Sequence, residues 1–518
     1  MGRYRNPILA GCHPDPSICR VGETYYLATS TFEYLPGIPL HSSTDLVDWQ
    51  LIGHAIDRPE QLDFTDLPSS GGLYAPTIRH HDGLFHVVCT VVGDSPRDRD
   101  PWPGRTGHFI VTAADPRGPW SQPIWLAGLE GIDPSLTFDG GRVWLCGTRL
   151  AEPALWRQQT EVWLRELDPV TFQPVGAETI LWHGALEGAI WAEGPHVVRH
   201  PDGGWMLIAS EGGTFDEHAL SVAYADEITG PYRGDPANPR LTHRDLGSRT
   251  AVWGVGHADL VDAPDGRTWA TLLASHREDG HDGLLGRQTH LVPVEWEKGS
   301  PLFAPGAGRV ELEVVADGVP DQHPLSLDFD ADFTAPALEP EWTGVRRTPA
   351  AFADLDARPG CVRLRAGGEP TERGDLGFLG RRLPGAHVDV RVTLELAATG
   401  PLRGGILLRV SDAVHLEVTV SSEGRARVLR VDAGVAAVIA EAACDLRGPV
   451  ELTLRVDGFH GEAAVGGVAL GPVDLRPLSP AEAWSFVGAW VGPFAVGHGH
   501  VDVSAMRIRG LDVASDLR

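Results

Sequence analysis

Read by its apolar and polar positions, the chain is nearly all strand. Short apolar runs recur along it: YYLATSTF at 25–32, LFHVVCTVV at 84–92, RVWLCGT at 142–148, GWMLIASE at 204–211 and TWATLLAS at 268–275. Each is bounded by Gly, Asp or Pro. Runs of this length, rich in β-branched and aromatic residues, predict strands. Amphipathic runs of helical period are almost absent.

Five of these segments share one grammar. A small or polar residue leads, a short apolar strand follows, then an Asp/Gly turn, then a second apolar strand. They start at Asp15 (DPSICRVGETYYL), Ala75 (APTIRHHDGLFHVV), Asp133 (DPSLTFDGGRVWLC), Glu193 (EGPHVVRHPDGGWMLI) and His257 (HADLVDAPDGRTWATL). The leads are 60, 58, 60 and 64 residues apart, and later turns echo one another: ADPRGPW at 114–120, LDPVTFQP at 167–174 and ADEITGPY at 225–232. A repeat of this length with several short strands predicts a β-propeller blade. Five repeats predict an all-β, five-bladed propeller over residues 1–315. Equivalent positions then lie on one ring, which places Asp15, Ala75, Asp133, Glu193 and His257 at one mouth of a central channel.

The texture changes after residue 310. LDFDADFTAPALEPEW opens a second unit, and period-2 strands follow, among them HVDVRVTLEL, VHLEVTVS and VELTLRVDG. Alternation with Gly turns predicts a two-sheet β-sandwich over 316–518.

Composition narrows the function classes. The formal charge is −27, so phosphate backbones and anionic membrane faces are poor partners, whereas a neutral ligand such as a carbohydrate carries no such penalty. The six cysteines form no CxxC pair and read as free buried thiols. The first residues carry no apolar signal core, and no run approaches the ~20 apolar residues of a membrane helix. A soluble cytoplasmic protein is the expectation, and self-association is left open.

Three of the five ring positions are carboxylates. One reading is a solvated acidic channel mouth. The other is chemical: like charges held close push their pKa values apart, so a proton donor and a carboxylate base coexist at neutral pH. Glycoside hydrolysis needs that pair. No Gly-rich phosphate loop or GxSxG is present.

The segments HPDPSICRVGETYYLATSTFEYLPGIPLHSSTDLVDWQLIG, SSGGLYAPTIRHHDGLFH, GIDPSLTFDGG, AEGPHVVRHPDGGWMLIASEGGT, GVGHADLVDAPDG and LLGRQTHLVPVEWEKGSP resemble glycoside hydrolase family 43, in particular its β-xylosidase-like members with a C-terminal concanavalin-like, jelly-roll sandwich. The resemblance implies Asp15 as general base, Glu193 as general acid and Asp133 as the carboxylate that raises and orients the acid. It implies inversion, for which base and acid stand roughly 6.5–9.5 Å apart. It also implies that Arg287, in LLGRQTH, contacts sugar and keeps Asp15 ionised. For His257 it implies a cation or water in the channel, bound directly or through water. No cofactor is required, although a structural calcium in the channel is left open.

Phe32 and Tyr74 lie in segments that resemble pocket walls, with ordinary blade packing as the alternative. Ala75, the small ring member, leaves room for a sugar. In FVGAWVGPF (486–494), Trp490 takes the place of a family aromatic pushed over the pocket mouth; a core tryptophan is the other reading. His80, His81 and His86 read as loop and strand, Asp94–Asp100 as a solvated loop, and Glu187 as a non-catalytic acid.

The expected activity is exo-hydrolysis releasing xylose from short β-1,4-xylo-oligosaccharides. α-L-Arabinofuranosidase action, alone or in addition, is the alternative. A catalytically inactive sugar-binding propeller is the reading from another class.

Overall fold

The structure, a computed structural model, describes residues 1–93 and 102–511. The 94–100 loop named above therefore lies outside the described residues. Among those described, three short 3-10 turns are the only helical elements.

Five antiparallel sheets follow one another along the chain, each opened by its innermost strand. The innermost strands are Ser17–Val21, Gly72–His81, Ile132–Asp139, Glu193–Arg199 and Val252–Asp262. The first blade continues through Thr24–Ala28, Gly37–Ser43 and Gln50–Ile56, and the last through Thr268–Glu278, His281–Glu297 and Ser300–Phe303. Interleaved apolar clusters glue neighbouring blades, such as Met206, Ile208 and Val222 of blade 4 against Val255, Leu272 and Val292 of blade 5.

The ring closes through the N-terminus. Gly2–Arg5 pairs antiparallel with Glu313–Ala316. The chain then runs along blade 5: Tyr4 Oη donates to the Leu291 carbonyl at 2.9 Å, Ile8 N to Thr289 O at 3.0 Å, and His13 N to Arg287 O at 3.1 Å.

The repeat grammar has a backbone cause. Asp15, Ala75, Asp133 and His257 all have positive φ, at 55, 39, 55 and 51°. In blade 4 the matching residue is Gly194, at φ 59°, not Glu193. The ring expected from the sequence is therefore corrected by one residue. Gly194 holds the ring position, and Glu193 stands one residue before it. Left-handed backbone is strained for a side-chain-bearing residue. Here it forms a bulge that re-aims the strand. Ladder pairing resumes at Thr77, Ser135, His196 and Asp259 in blades 2 to 5.

In the C-terminal sandwich two long strands, His387–Ser411 and Trp490–Gly510, lie side by side from Val388↔Gly510 to Arg409↔Trp490. The first also pairs with Val450–Asp457 near its start and with Val414–Ser421 near its end, so it serves both layers. Their inner faces form one continuous core that includes Val390, Leu408, Leu416, Leu454, Val503 and Ile508.

Candidate active site

Ala75 and His257 are each fixed by a bulge and by a hydroxyl of the blade before. Ser30, on blade 1, donates to Asp15 Oδ2 at 2.6 Å and accepts from Ala75 N at 2.7 Å. Ser210, on blade 4, accepts from His257 N at 2.5 Å. These hydroxyls staple one blade to the ring residue of the next. Gly194 N donates to Asp133 Oδ2 at 2.9 Å, which fastens the residue after Glu193 to the neighbouring carboxylate.

Asp15, Asp133 and Glu193 thus converge on one pocket, and a single guanidinium serves it. Arg287 Nη1 donates to Asp15 Oδ1 at 2.9 Å and lies 3.4 Å from Thr214 Oγ1. His257 Nδ1 is 3.9 Å from the same Asp15 oxygen, and its ring lies against Gly194, where a Cβ would approach to 2.9 Å. Burial pushes Glu193 well above the usual carboxyl range; the Asp133 charge adds to this, and Arg287 opposes it. Burial also raises Asp133, with His257 pulling it down and Asp15 pushing it up. The site therefore pairs a carboxyl group ion-paired to Arg287 with one that burial pushes well above the usual carboxyl range.

One step down the channel stands a second ring: Ser17, Thr77, Ser135, His196 and Asp259. Arg79 fills its centre. Its guanidinium bonds Asp259 at 2.7 and 3.1 Å and His196 Nδ1 at 3.0 Å. Ser17 Oγ donates to Asp259 at 2.7 Å, and Ser135 Oγ lies 3.0 Å from His196 Nδ1. Arg79, from blade 2, thus spans the channel to blades 1, 4 and 5. Among the described residues, protein groups do not build a calcium cage of six to eight oxygens. His257 offers one nitrogen, Asp15 is already bound to Arg287, and Asp259 is bound to Arg79. Among the described residues no group of three His, Cys, Asp or Glu gathers as metal ligands.

Aromatic walls close the mouth. Phe32 and Tyr74 meet edge-to-face at 5.0 Å between centroids. The third wall comes from the sandwich, and it is Phe486. Its ring lies parallel to Phe32 at 6.3 Å and edge-on to Tyr74 at 6.0 Å, with the Arg287 guanidinium 5.4 Å from its centroid. The placement of Trp490 over the mouth is corrected here. Trp490 is the first residue of its strand, in register with Arg382 and Arg409, and is only 2 % exposed. It stacks on Tyr34 at 3.9 Å, inside the interface between the two units. Phe486 precedes the strand, on a loop free to reach outward.

That loop is held by the propeller. Phe486 N donates to Ser70 Oγ at 3.1 Å, and Ser70 N to Glu33 Oε2 at 3.0 Å. Tyr74 Oη donates to the Ser70 carbonyl. Glu33 in turn belongs to a largely buried cluster: Arg409 Nη1 lies 3.1 Å from Glu33 and 2.7 Å from Tyr34 Oη, and its Nη2 lies 2.7 Å from Asp412, which Arg346 also binds.

Other expected features fall outside the site. Glu187 is an exposed loop residue, and His81 stacks on Phe138 at 4.2 Å. All six cysteines are free, five of them buried. Ser30, Thr214, Glu33 and Phe486 were not singled out from sequence; only Phe486 carried a signal, as the other aromatic of the 486–494 segment.

Comparison with known proteins adds to this geometry. Residues 4–301 match the model of Glycosyl hydrolases family 43, and residues 330–507 match that of a beta xylosidase C-terminal Concanavalin A-like domain. A xylosidase/arabinosidase of Butyrivibrio fibrisolvens is 35 % identical over 519 residues, covering 95 % of this chain and 96 % of that one. A non-reducing end alpha-L-arabinofuranosidase of Bacteroides ovatus is 32 % identical, over 97 % and 93 % of the two chains. The crystal structure of a xylan beta-1,4-xylosidase from Bacillus halodurans superposes with a TM-score of 0.87 at 28 % identity, covering 98 % of this chain and all of that one.

Proposed function

Since the chain belongs to glycosyl hydrolase family 43, we propose that it is an inverting exo-β-xylosidase acting on the non-reducing ends of short xylo-oligosaccharides. The observation that carries this reading is the unequal treatment of its carboxyl groups. Asp15 is ion-paired to Arg287, while burial and the Asp133 charge push Glu193 well above the usual carboxyl range.

Asp15 takes a proton from a water, whose oxygen attacks the anomeric carbon. Glu193 gives its proton to the leaving oxygen as the glycosidic bond breaks. Asp133 tethers Gly194 and raises Glu193 electrostatically. Arg287 fixes Asp15 and offers its remaining N–H groups to sugar hydroxyls. Tyr74 and Phe486 exclude water and stack on sugar C–H faces, with Phe32, as buried as Trp490, packed behind them. The Arg79 plug limits depth, which supports exo action on a terminal sugar. No step requires a bound metal.

α-L-Arabinofuranosidase activity is the second reading, because the Bacteroides ovatus relative bears that name and the Butyrivibrio fibrisolvens relative bears both. Proton NMR of 4-nitrophenyl β-D-xylopyranoside hydrolysis, with the α-L-arabinofuranoside in parallel, tests both. α-Xylose as first product is expected. β-Xylose first would overturn inversion, cleavage of the arabinoside alone would transfer the assignment, and inertness to both would favour a sugar-binding propeller.

A further inference from the structure

The base and the acid stand on blades that are not neighbours in the ring. Asp15 precedes the innermost strand of blade 1, and Glu193 starts that of blade 4. Blade 5 lies between them. Apolar clusters join each of these blades to the next, as Ile18 and Leu27 of blade 1 meet Trp269 and Leu291 of blade 5, and blade 5 meets blade 4. Along the wall the separation of Asp15 from Glu193 is therefore the sum of two joints. Inversion tolerates little slack in it, because a reacting group misplaced by about 1 Å costs on the order of 10²-fold in rate.

Arg79 crosses the gap directly. Its Nη1 donates to Asp259 Oδ2 at 2.7 Å and to Ser17 Oγ at 3.2 Å, and its Nη2 to Asp259 Oδ1 at 3.1 Å. The same Nη2 is 3.0 Å from His196 Nδ1. A guanidinium only donates, so that nitrogen accepts. Burial lowers the His196 ring to about 4, which leaves it neutral and able to accept. Each partner lies just below an active-site residue on the same strand. Ser17 is two residues after Asp15, Asp259 two after His257 and His196 three after Glu193. Ser135, two after Asp133, has its Oγ 3.0 Å from the same His196 nitrogen. Backbone bonds stiffen the joint: Ile18 N donates to Asp259 Oδ2 and Ile78 N to Ser17 Oγ, both at 3.1 Å.

We infer that Arg79 is a positioning residue for hydrolysis, a strut across the channel that sets the separation of Asp15 from Glu193. The inference rests on the assignment of those two residues as base and acid. Arg79 acts through distance rather than charge. The charges that act on Glu193 are Asp133, Arg287 and Asp15. Arg79 is matched by Asp259, which burial pushes up and Arg79, His196 and Ser17 together bring down to about 2. The groups that hold the sugar are fixed from elsewhere: Arg287 by Asp15 and Thr214, Tyr74 and Phe486 by Ser70. Loosening the strut therefore slows turnover and spares binding.

The test uses the intact protein. Arg79→Met alone leaves Asp259 a buried unpaired charge, so it is combined with Asp259→Asn, which makes the pair neutral. His196→Leu is the second variant. It keeps the Arg79–Asp259 pair and removes only the anchor on blade 4, which keeps the question decidable if the double variant fails to fold. Rates are measured against pH on xylobiose and on the 4-nitrophenyl β-D-xylopyranoside and α-L-arabinofuranoside. On whichever of these the parent cleaves, kcat should fall about 100-fold in the double variant and about tenfold in His196→Leu, with KM within about threefold and both pH limbs in place. An active parent whose folded variants keep kcat within about twofold overturns the strut alone. So does a rise in KM with kcat retained, or a displaced pH limb, since each would show Arg79 acting on binding or on charge. A parent inert on all three glycosides overturns the base–acid assignment and the strut with it.

Discussion

Two clusters of buried charge, one at the channel mouth and one joined to Phe486 through Ser70, are composed in opposite ways. At the channel mouth three carboxyl groups, Asp15, Asp133 and Glu193, share one guanidinium, Arg287. At the interface, Glu33 and Asp412 face Arg346 and Arg409 one for one. In the balanced cluster burial pushes Asp412 up, but Arg346 and Arg409 outweigh it and hold it at about 2. Glu33 stays raised, because burial exceeds what Arg409 and Arg346 return. In the unbalanced cluster burial pushes Glu193 well above the usual carboxyl range, the Asp133 charge adds to it, and only Arg287 opposes. The same residue types build a rigid joint where charges cancel and a proton donor where they do not.

The comparison breaks most completely at Asp15. Asp15→Asn keeps the shape but removes the base, and kcat should fall at least ~10³-fold on every substrate; steady-state rates on xylobiose and an aryl xyloside check this. Next comes the balanced cluster. Arg409→Met leaves Glu33 and Asp412 short of one cation, with an expected loss of about 3–5 kcal/mol in urea unfolding. Smaller is the effect of Phe486→Ala, which removes the sandwich's wall. KM should rise about tenfold with kcat less affected, whereas Trp490→Phe, behind the wall, should leave KM within about twofold.

The smallest effect has the opposite sign. Glu193 has its pKa raised in the folded state, so its contribution to stability is full below the unfolded value, about 4.3, and lost as pH rises through the folded one. Above about 4.3 the unfolded chain gives up this proton more readily than folded Glu193 does, and that difference opposes folding. Glu193→Gln should therefore unfold about 1 kcal/mol later than the parent at pH 8 and equally at pH 4, while being inactive on xylobiose. Measuring urea midpoints at the two pH values decides it.

Much of the site was legible because blades repeat. A period shared by Asp15, Ala75, Asp133 and His257 is a statement about a common bulge, and sequence alone placed them on one ring. Blade 4 broke the pattern by one residue, since a glycine carries its left-handed turn; in the sequence, EGP and DP look equivalent. The Phe486–Trp490 choice failed for another reason. Both are aromatic and in one segment, and only the register of Trp490 with Arg382 and Arg409 tells which is tied to the sheet. Charge balance was not legible at all. Arg409 and Glu33 are 376 positions apart, and no local pattern joins them.

The pairing of Gly2–Arg5 with Glu313–Ala316 bears on how the molecule is made. Gly2–Arg5 has no mate until some three hundred residues later, so nascent blades must stand in an open arc before the ring can lock. A catalytic fragment cut at residue 301, where the family match ends, would leave that strand permanently single. Expression of the propeller alone has to run past Ala316 to give the arc its clasp.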